Sequence, residues 1–210
     1  NTVEKIEQIM DREGFRDSFS NLLFIKHAEN KGAYNSINEG LSKANGDYLT
    51  IINTDDLYEE NRIEVMLKQL TKQNKNFAFS TVKLINSLDT YDNHERKYLE
   101  NTKERIKILG SITRALLDTN IAISTGNMLF TKFLFKRLGG FRNFSYIHDW
   151  DFILRATLIQ EPILVEETNY LYRLHGTNTF ETLKKDKRET TKQVSVVLSN
   201  IRRQIEAGNY

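Results

Sequence analysis

The fold is indicated most clearly by residues 48–56, which read YLTIINTDD. The first part, Tyr48–Ile52, is a short apolar run of the length typical of a buried strand. The second part, Asn53–Asp56, is polar and places two carboxylates side by side. In open α/β sheets, ligands bind at the carboxyl ends of the strands. These residues therefore predict a strand that leads directly into a ligand site.

Helical and strand-like segments alternate on either side of this strand. Apolar residues recur at helical spacing over Thr2–Arg12 and again over Ala33–Ala44, with a strand-length apolar run at Leu22–Ile25 between them. Asn61 is placed to cap a further helix, and Phe77–Ser87 has the composition of one or two strands. This alternation predicts an α/β fold whose mostly parallel sheet is flanked by helices.

The second half of the chain predicts a loop over Leu88–Asn101, followed by helices and two short strands. One of the helices ends at a Gly139-Gly140 pair, which is typical of a helix C-terminus. No repeat or linker interrupts the pattern, so we expect a single domain over residues 1–210, with a C-terminal amphipathic helical extension over residues 182–210. The expected helices are Glu104–Leu117, Lys132–Leu138, Asp149–Leu158 and Thr190–Ala207, and the expected strands are Ile163–Val165 and Leu171–Tyr172.

Composition excludes several classes of protein. The 210 residues include 30 basic and 28 acidic side chains, and the net charge of +2 gives no bulk attraction to nucleic acid. The absence of cysteine excludes disulfides, thiolate zinc sites and cysteine nucleophiles, and it is compatible with a reducing, cytoplasmic location. No apolar run approaches the roughly 20 residues of a membrane span. The mixed charges on the polar face of the C-terminal helix argue against membrane binding, although peripheral contact at the inner face of the membrane stays open.

Three groups of residues could carry chemistry. The adjacent carboxylates of Asp55 and Asp56 need a cation or hydrogen bonds nearby, and oxygen ligands suit Mg²⁺ or Mn²⁺; a solvated loop is the structural alternative. Asp149 next to Trp150 at a helix start could be a general base beside a sugar-stacking ring, or an N-cap beside a core aromatic. His175 follows a strand and could ligate a metal, although single histidines usually do not.

In this order, the three groups resemble the large inverting family of GT-A-fold glycosyltransferases often called family 2. The resemblance extends over Thr2–Thr179 and rests on several independent motifs. It implies a GT-A-like fold and a metal-dependent, hexosyltransferase-like enzyme that moves a sugar from a nucleotide-diphosphate sugar to an acceptor hydroxyl. The matching residues are Asn30-Lys31-Gly32, Asn35, Asn38-Glu39-Gly40, Ala44-Asn45-Gly46-Asp47-Tyr48, Thr54-Asp55-Asp56, Gly139-Gly140-Phe141, His148-Asp149-Trp150-Asp151 and Tyr172-Arg173-Leu174-His175.

The resemblance also implies substrates and roles for single residues. The implied donor is a UDP- or dTDP-sugar, and the implied acceptor is a glycan or lipid-linked hydroxyl in bacterial surface polysaccharide or glycan synthesis. Asp149 would be the catalytic base, and the direct metal ligand among the two aspartates is left open. The implied ligands of Mn²⁺ or Mg²⁺ are Asp55, Asp56 and His175. The two aspartates are also implied to contact the donor, together with Gly32, Asn35 and Asn53, and the acceptor side is implied at Asn127 and Trp150.

The chain departs from the family pattern at three places. Asn53 stands where the family usually has another aspartate, which removes one negative charge and predicts weaker metal binding. His148 stands where a glutamate usually precedes the base. The chain begins after the strands that grip the nucleotide base, so we expect an N-terminally incomplete catalytic domain with an unpaired sheet edge.

These departures leave other functions open. One is a glycosyltransferase-like module that binds a glycan or a partner without turnover, and another is a nucleotidyltransferase, although no glycine-rich phosphate loop is visible. A metal hydrolase would need paired histidine ligands, which the sequence lacks. The enzyme hypothesis requires Asp55, Asp56 and His175 to surround one cation while Asp149 faces the same cleft.

Overall fold

A computed structural model of the chain describes residues 2–86, 88, 95–174 and 187–208. The chain divides into two compact units, Asn1–Ala33 and Tyr34–Tyr210. The division follows Ala33, at the start of a helix, and residue 182, where the sequence pattern suggests a helical extension, lies outside the described residues. The single domain over residues 1–210 stays a prediction.

The first unit holds one α-helix and one short 3₁₀-helix among its described residues. Helix α1 spans Thr2–Met10, as its apolar spacing predicts, and the 3₁₀-helix spans Arg16–Ser18. The predicted strand at Leu22–Ile25 is wrong, because these residues pair with no described strand. An apolar segment becomes a strand only when its backbone groups pair with a neighbouring strand.

The sheet and the remaining helices follow along the chain. The helices expected over Ala33–Ala44, after Asn61, and over Lys132–Leu138, Asp149–Leu158 and Thr190–Ala207 are confirmed to within a few residues at each end, and the two strands expected at Ile163–Val165 and Leu171–Tyr172 form one longer strand. In chain order, the elements are α2 (Ala33–Lys43), β1 (Tyr48–Thr50), β2 (Leu57–Tyr58), α3 (Arg62–Gln73), β3 (Phe77–Ile85), α4 (Glu95–Leu109), α5 (Ile112–Asp118), a 3₁₀-helix (Thr125–Asn127), β4 (Met128–Thr131), α6 (Lys132–Leu138), α7 (His148–Ile159), β5 (Ile163–Arg173) and α8 (Lys187–Glu206).

The described strands form one mixed sheet in the order β1-β4-β3-β5-β2. Of their pairings, β3–β5 is parallel, whereas β1–β4, β4–β3 and β5–β2 are antiparallel. The α/β class is confirmed, but the expectation of a mostly parallel sheet is corrected. Helical connections give β1, β3 and β5 a common direction, whereas β4 enters between β1 and β3 in the opposite direction, and β2 joins the far edge as an antiparallel strand.

Alternating residues of the central strands face two apolar clusters on opposite sides of the sheet. Phe77 and Phe79 of β3 belong to the larger cluster, which includes residues of α5, α6, α7 and α8, whereas Ala78 belongs to a smaller cluster with Met66 and Leu70 of α3. Successive strand residues point to opposite faces, so a central strand that is covered on both sides reads as an unbroken apolar run. Fully burying a side chain such as Phe79 contributes about 1.5–3 kcal/mol.

The region between β3 and β4 differs from its prediction. The predicted loop over Leu88–Asn101 is partly helical, because α4 begins inside it, and the predicted helix Glu104–Leu117 is divided between α4 and α5. Gly110, at φ 77°, follows α4 in the left-handed conformation, and Ser111 caps α5 by accepting a hydrogen bond from the Arg114 N–H at 3.1 Å. A glycine followed by a serine is thus a stop signal followed by a start signal.

Helix α8 packs on α7 through one face. Val197 and Ile201 are buried in the larger cluster, whereas Val196 and Ile205 are exposed. Their spacing of four residues keeps the two buried side chains on the same side of the helix. No helix in the described part of the chain is both long enough and apolar enough to cross a membrane.

Candidate active site

The chain turns sharply after β1 and forms the Asn53–Asp56 turn. The Asp56 N–H donates to the Asn53 carbonyl oxygen at 3.2 Å, which closes the turn. The hydroxyl of Tyr58 in β2 donates to the Ile51 carbonyl oxygen, and this bond fixes the backbone just ahead of the turn. The polar residues that follow the strand in the sequence are therefore kept at the carboxyl end of β1.

Asp56 is the buried carboxylate of this turn, with 4% of its surface exposed. Its Oδ1 accepts a hydrogen bond from the Arg173 N–H at 2.9 Å, and its Oδ2 accepts from Asn53 Nδ2 at 2.9 Å and from the Tyr170 hydroxyl. Burial raises the pKa of Asp56 and the charge of Asp55 adds to the rise, whereas the three hydrogen bonds oppose it. Asp56 is thus held in one orientation by β5 and by its own turn.

Tyr170 of β5 and Ser124 complete the hydrogen-bond network around Asp56. Asn53 Nδ2 also lies 2.9 Å from Ser124 Oγ and 3.2 Å from the Tyr170 hydroxyl oxygen. Burial and the nearby charge of Asp56 raise the pKa of Tyr170, so its hydroxyl stays protonated and donates to that carboxylate. Sequence reasoning missed Tyr170 and Ser124, because only strand pairing and the path of residues 119–127 bring them to Asp56.

Asp55 differs from Asp56, because it is only half-buried. Its backbone carbonyl accepts a hydrogen bond from Arg173 Nε at 2.7 Å, and Arg173 also donates to the carbonyl oxygen of Asn86, just after β3, at 2.7 Å. Arg173 thereby ties the ends of β3 and β5 to the turn. The signal for Arg173 was its place in the Tyr172–His175 motif, where the sequence suggested a role only for the histidine.

A fully buried arginine lies behind this network. Arg62 Nη2 donates to Asn127 Oδ1 at 2.8 Å, and the guanidinium carbon lies 4.7 Å from the centre of the Tyr58 ring and 5.5 Å from that of Tyr170. The attraction between a desolvated cation and an aromatic face is worth about 2 kcal/mol. Arg62 therefore supports both tyrosines that hold the turn.

The position of Asn127 corrects its predicted role as a wall of the acceptor side. Its side chain has no exposed surface, and Nδ2 donates to the carbonyl oxygens of Ser80 at 2.9 Å and Ala122 at 3.0 Å. Oδ1 accepts from the Ser80 N–H at 3.1 Å and from Arg62. An amide with these partners is satisfied inside the protein. Asn127 therefore joins β3 to the segment that carries Ser124.

Asp149 lies in the first turn of α7, as its place in the sequence predicts. It is 8% exposed, its Oδ2 accepts a hydrogen bond from Asn120 Nδ2 at 2.9 Å, and its Oδ1 accepts from the Trp150 N–H at 2.7 Å. Burial raises the pKa of Asp149, against the opposing effects of the His148 charge and of these hydrogen bonds. A buried, oriented carboxylate of increased basicity is suited to accept a proton.

One short segment connects Asp149 with the network around Asp56. Asn120 at its start contacts Asp149, and Ser124 at its end accepts a hydrogen bond from Asn53. Even when fully extended, the five residues of this segment span at most about 18 Å. That Asp149 faces the same cleft as Asp55 stays a prediction, and this connection supports it.

A buried ion pair anchors α7 close to Asp149. Arg155 Nε and Nη2 both donate to Asp151 Oδ2, at 2.9 and 2.7 Å, and both side chains are at most 2% exposed. Arg155 also donates to the carbonyl oxygens of Leu138 and Gly140, each at 2.8 Å, at the C-terminal end of α6. The pair therefore fixes the position of α7 against α6.

The Asn38 motif and the Gly139-Gly140-Phe141 motif, which are far apart in the sequence, meet in the fold. Asn38 Oδ1 accepts from the Phe141 N–H and Asn38 Nδ2 donates to the Phe141 carbonyl oxygen, each at 2.8 Å. Phe141 stacks on Phe152 of α7 with ring centres 4.4 Å apart. A Cβ atom at residue 140 would approach Asn38 Oδ1 to 2.6 Å, so glycine is required there. The two motifs together position α7.

Four further residues have a role predicted from the sequence, and they are Trp150, Asn35, Gly32 and His175. Trp150 is half-buried, and its Nε1 donates to the Leu116 carbonyl oxygen at 2.7 Å, so one edge of the indole faces α5. Asn35 is exposed on α2, and Gly32, in the first compact unit, has a left-handed backbone with φ 79°. His175 lies outside the described residues. The donor, acceptor and metal roles of these residues stay predictions.

The described residues include no group of three or more histidine, aspartate or glutamate side chains that could hold a metal ion. Asp55 and Asp56 nevertheless fit a divalent cation chemically, because Mg²⁺ is commonly held by one or two carboxylates together with substrate phosphates. Oδ1 of Asp56 accepts a single hydrogen bond from the described residues. It therefore retains a lone pair that a hard cation could use, and the more accessible Asp55 adds a second carboxylate.

A substitution at Gly126 tests the packing around Tyr170. A Cβ atom there would overlap the Tyr170 hydroxyl and lie 2.7 Å from Cζ of the same ring. We expect Gly126→Ala to displace that ring from Asp56 and to lower the free energy of unfolding by about 1–3 kcal/mol, measured by urea denaturation. The control Gly40→Ala, on an open helix surface, is expected to be neutral or stabilising by up to about 1 kcal/mol. Equal stabilities of the two variants would contradict this packing.

Comparisons with known proteins agree on one family. The sequence model of the family described as Glycosyl transferase family 2 matches residues 1–139, which include the Asn53–Asp56 turn. The chain is 25% identical over 192 residues to an uncharacterised glycosyltransferase of Rickettsia typhi, covering 86% of this chain and 58% of that protein. It is 34% identical over 83 residues to the glycosyltransferase GlyG of Streptococcus pneumoniae, covering 34% of this chain and 28% of that protein.

A solved structure shares the fold. The crystal structure of TarS from S. aureus matches 95% of this chain with a TM-score of 0.60, at 14% sequence identity and over 52% of that chain. The chain thus spans less than two thirds of the length of each of these relatives. The family match covers 139 of the 210 residues and includes the acidic turn. The chain therefore belongs to glycosyl transferase family 2.

Proposed function

We propose that the chain forms the catalytic core of an inverting glycosyltransferase, which moves a sugar from a nucleotide-diphosphate sugar to an acceptor hydroxyl. The observation that carries the proposal is Asp149, a buried carboxylate of raised pKa that two hydrogen bonds orient at the start of α7. Its connection through residues 120–124 to the Asn53–Asp56 turn supports a common site. Family membership supports the class of reaction.

In the proposed reaction, the acceptor hydroxyl oxygen attacks the anomeric carbon from the side opposite the leaving group. A new carbon–oxygen bond forms as the bond to the nucleoside diphosphate breaks, and an Asp149 oxygen takes the hydroxyl proton. A raised pKa makes this carboxylate a stronger base at any pH at which it remains ionised. General-base assistance of this kind contributes about 10²–10⁴-fold in rate.

Asp55 is the proposed direct ligand of Mn²⁺ or Mg²⁺, with Asp56 in a supporting position. The support is the difference between the two carboxylates, since Asp56 is 4% exposed and accepts three hydrogen bonds, whereas Asp55 is half-buried. When bound, the ion would neutralise the charge that develops on the departing diphosphate. His175 is proposed as a further ligand on the strength of the family resemblance.

A thermal-shift measurement tests the metal proposal. We expect UDP or dTDP to raise the unfolding midpoint more with Mn²⁺ than without it, because the metal would tighten nucleotide binding. A ligand that binds only the folded chain stabilises it by about 2.7 kcal/mol when its free concentration is 100 times its Kd. Asp55→Asn is expected to lose the Mn²⁺-dependent increment. The control Asp47→Asn removes an exposed carboxylate outside the turn and is expected to keep it. An undiminished increment in Asp55→Asn would exclude that residue as the ligand.

We further propose a UDP- or dTDP-sugar as the donor and a glycan or lipid-linked hydroxyl as the acceptor, in bacterial surface polysaccharide or glycan synthesis. The bacterial glycosyltransferases among the relatives support this setting. A cytoplasmic location at the inner face of the membrane would bring such an enzyme to both substrates. Incubation with a panel of labelled sugar nucleotides tests the transfer, and NMR of the product tests inversion. Retention of the anomeric configuration would contradict the role of Asp149.

A non-catalytic glycosyltransferase-like module is the second candidate, and Asn53 favours it. Where the family usually has an aspartate, this chain has an amide that donates to Asp56 and lies 2.9 Å from Ser124 Oγ. The site therefore holds one negative charge fewer for a cation. Binding of a nucleoside diphosphate without any transfer across the sugar-nucleotide panel would favour the binding module over the enzyme.

A further inference from the structure

Asn120 contacts both the proposed base and its own loop. Its Nδ2 donates to Asp149 Oδ2 at 2.9 Å, and its Oδ1 accepts a hydrogen bond from the Ile123 N–H at 3.1 Å. Asn120 is partly buried in the segment between α5 and the 3₁₀-helix Thr125–Asn127. Because hydrogen bonds are directional, the orientation of the Asp149 carboxylate depends on where this segment places Asn120.

The segment is strained at Ile123. This residue has φ 70°, and the Ser124 N–H donates across it to the Ala122 carbonyl oxygen at 2.9 Å. A hydrogen bond between residues i and i+2 around a residue of positive φ is typical of the rare, strained form of the γ-turn. For a β-branched residue, a positive φ is unfavourable and persists only where the surrounding structure enforces it.

Contacts on two sides enforce this turn. Asn127 Nδ2 donates to the Ala122 carbonyl oxygen at 3.0 Å, and Asn127 is itself fixed to Ser80 of β3. Ser124 Oγ accepts a hydrogen bond from Asn53 Nδ2 at 2.9 Å. The strained turn is therefore held by the sheet on one side and by the Asn53–Asp56 turn on the other.

We propose that Asn120 is a positioning residue for Asp149, aimed by the strained turn at Ile123 that the buried Asn127 holds in place. The inference rests on the proposed function, in which Asp149 accepts the proton of the acceptor hydroxyl. It also links the two halves of the site, because a displacement of the Asn53–Asp56 turn would reach the base through residues 120–124.

The pKa of Asp149 also depends on the charged groups around it. His148 precedes it on α7, and its charge lowers the pKa of Asp149, as does the hydrogen bond from Asn120. Loss of that hydrogen bond is therefore expected to raise this pKa. Other charged groups on the helices packed around it include Arg114 and Asp118 of α5, the latter paired with Arg105; Asp151 of α7, paired with Arg155 and 3.6 Å from Arg142; Glu189 of α8, 3.9 Å from Lys192; and Lys132, Lys136 and Arg137 of α6.

Matched substitutions separate the contacts of this segment. Asn120→Asp keeps the acceptor for the Ile123 N–H and replaces the donor to Asp149 with a carboxylate oxygen, whereas Asn120→Ala removes both contacts. Ile123→Gly accommodates the left-handed backbone without strain, whereas Ile123→Ala keeps a Cβ atom there. The control Asn45→Asp adds the same charge at an exposed position outside the site.

We expect both Asn120 variants to lower kcat by on the order of 10²-fold, with little change in the KM for the donor. The ascending limb of the pH–rate profile is expected to move to higher pH, further for Asn120→Asp than for Asn120→Ala, and Asn45→Asp is expected to leave it in place. Ile123→Gly is expected to have a higher thermal midpoint than Ile123→Ala and yet a lower kcat than the unchanged chain. A role limited to folding would lower the midpoints and leave the pH limb unmoved.

Titration of the Asp149 carboxyl carbon by NMR tests the inference without substrate. A higher pKa of Asp149 in both Asn120 variants than in the unchanged chain supports it, and an unchanged pKa in the folded variants overturns it. If Asn120→Ala does not fold, Ile123→Gly decides, because it releases the turn that aims Asn120 without adding a charge beside Asp149. The expected pKa changes in a chain that transfers no sugar would contradict the proposed function and leave the positioning contact supported.

Discussion

Replacement of Asp149 with asparagine is expected to lower turnover by about 10²–10⁴-fold, while the chain still folds at pH 8. The amide has nearly the same shape as the carboxylate, but it cannot take the proton of the acceptor hydroxyl. Donor binding is expected to be nearly unchanged, because the Asn53–Asp56 turn is not altered. A loss of turnover that is much larger than the loss of stability is typical of a group that is retained for chemistry.

The raised pKa of Asp149 determines how the stability difference between Asp149→Asn and the unchanged chain varies with pH. Burial raises the pKa of Asp149 above its usual value of 3.8. The folded chain then binds the proton more tightly than the unfolded chain, so stability falls as the pH rises from 3.8 through the raised pKa. Asparagine does not titrate. The free energy of unfolding of Asp149→Asn, relative to that of the unchanged chain, is therefore expected to be more favourable at pH 8 than at pH 4.

Three measurements check the effect of Asp149→Asn. Urea unfolding at pH 4 and pH 8 gives the stability difference, a transfer assay gives turnover, and calorimetric titration gives donor affinity. The control Asp47→Asn, at an exposed position, is expected to change none of them. Substantial turnover by Asp149→Asn would show that another group accepts the proton. A large loss of stability at pH 8 would show that the carboxylate is mainly structural.

A large loss of stability is expected instead when the buried ion pair is broken. Asp151→Ala is expected to lower the free energy of unfolding by about 3–5 kcal/mol, because it leaves Arg155 buried without its charged partner. Arg155 keeps its hydrogen bonds to the carbonyl oxygens of Leu138 and Gly140, but neither oxygen carries a full negative charge. Domains are typically stable by only about 5–15 kcal/mol, so the thermal midpoint is expected to fall markedly.

An exposed ion pair provides the control for this experiment. Asp118→Ala removes the partner of Arg105, and exposed pairs of this kind contribute about 0–1 kcal/mol. The double variant Asp151→Leu with Arg155→Met tests the cause, because replacing both buried partners with apolar residues is often neutral. Recovery of stability in the double variant supports the explanation. A double variant as unstable as Asp151→Ala would point to lost packing and not to an unpaired charge.

Features that depend on neighbours along the chain could be predicted well. The strand that leads into Asn53–Asp56 is an apolar run followed by polar residues, and the helix that carries Asp149 begins with an acidic residue ahead of an apolar segment. Gly139, with φ 70°, ends α6 where the sequence predicts. In each of these cases the signal and the structure lie within a few residues of each other.

Features that depend on strand order could not be predicted in this way. Strand β4 follows β1 and β3 in the sequence but lies between them in the sheet, which makes the sheet mixed. The same pairing places Asn127 in the interior, although the family resemblance implied a contact with the acceptor. Strand β2 has two residues, which is too short for a periodic pattern to be recognised.

Local pattern was thus sufficient to assign the α/β class, the family resemblance and the order of the acidic residues along the chain. Three-dimensional packing set which of these residues are buried and what holds them: Tyr170 buries Asp56, Asp55 stays more accessible, and Asn120 orients Asp149. The partners in these two hydrogen bonds lie 114 and 29 positions apart in the sequence. Burial and hydrogen bonding act over distances in space, so no pattern of neighbouring residues records them.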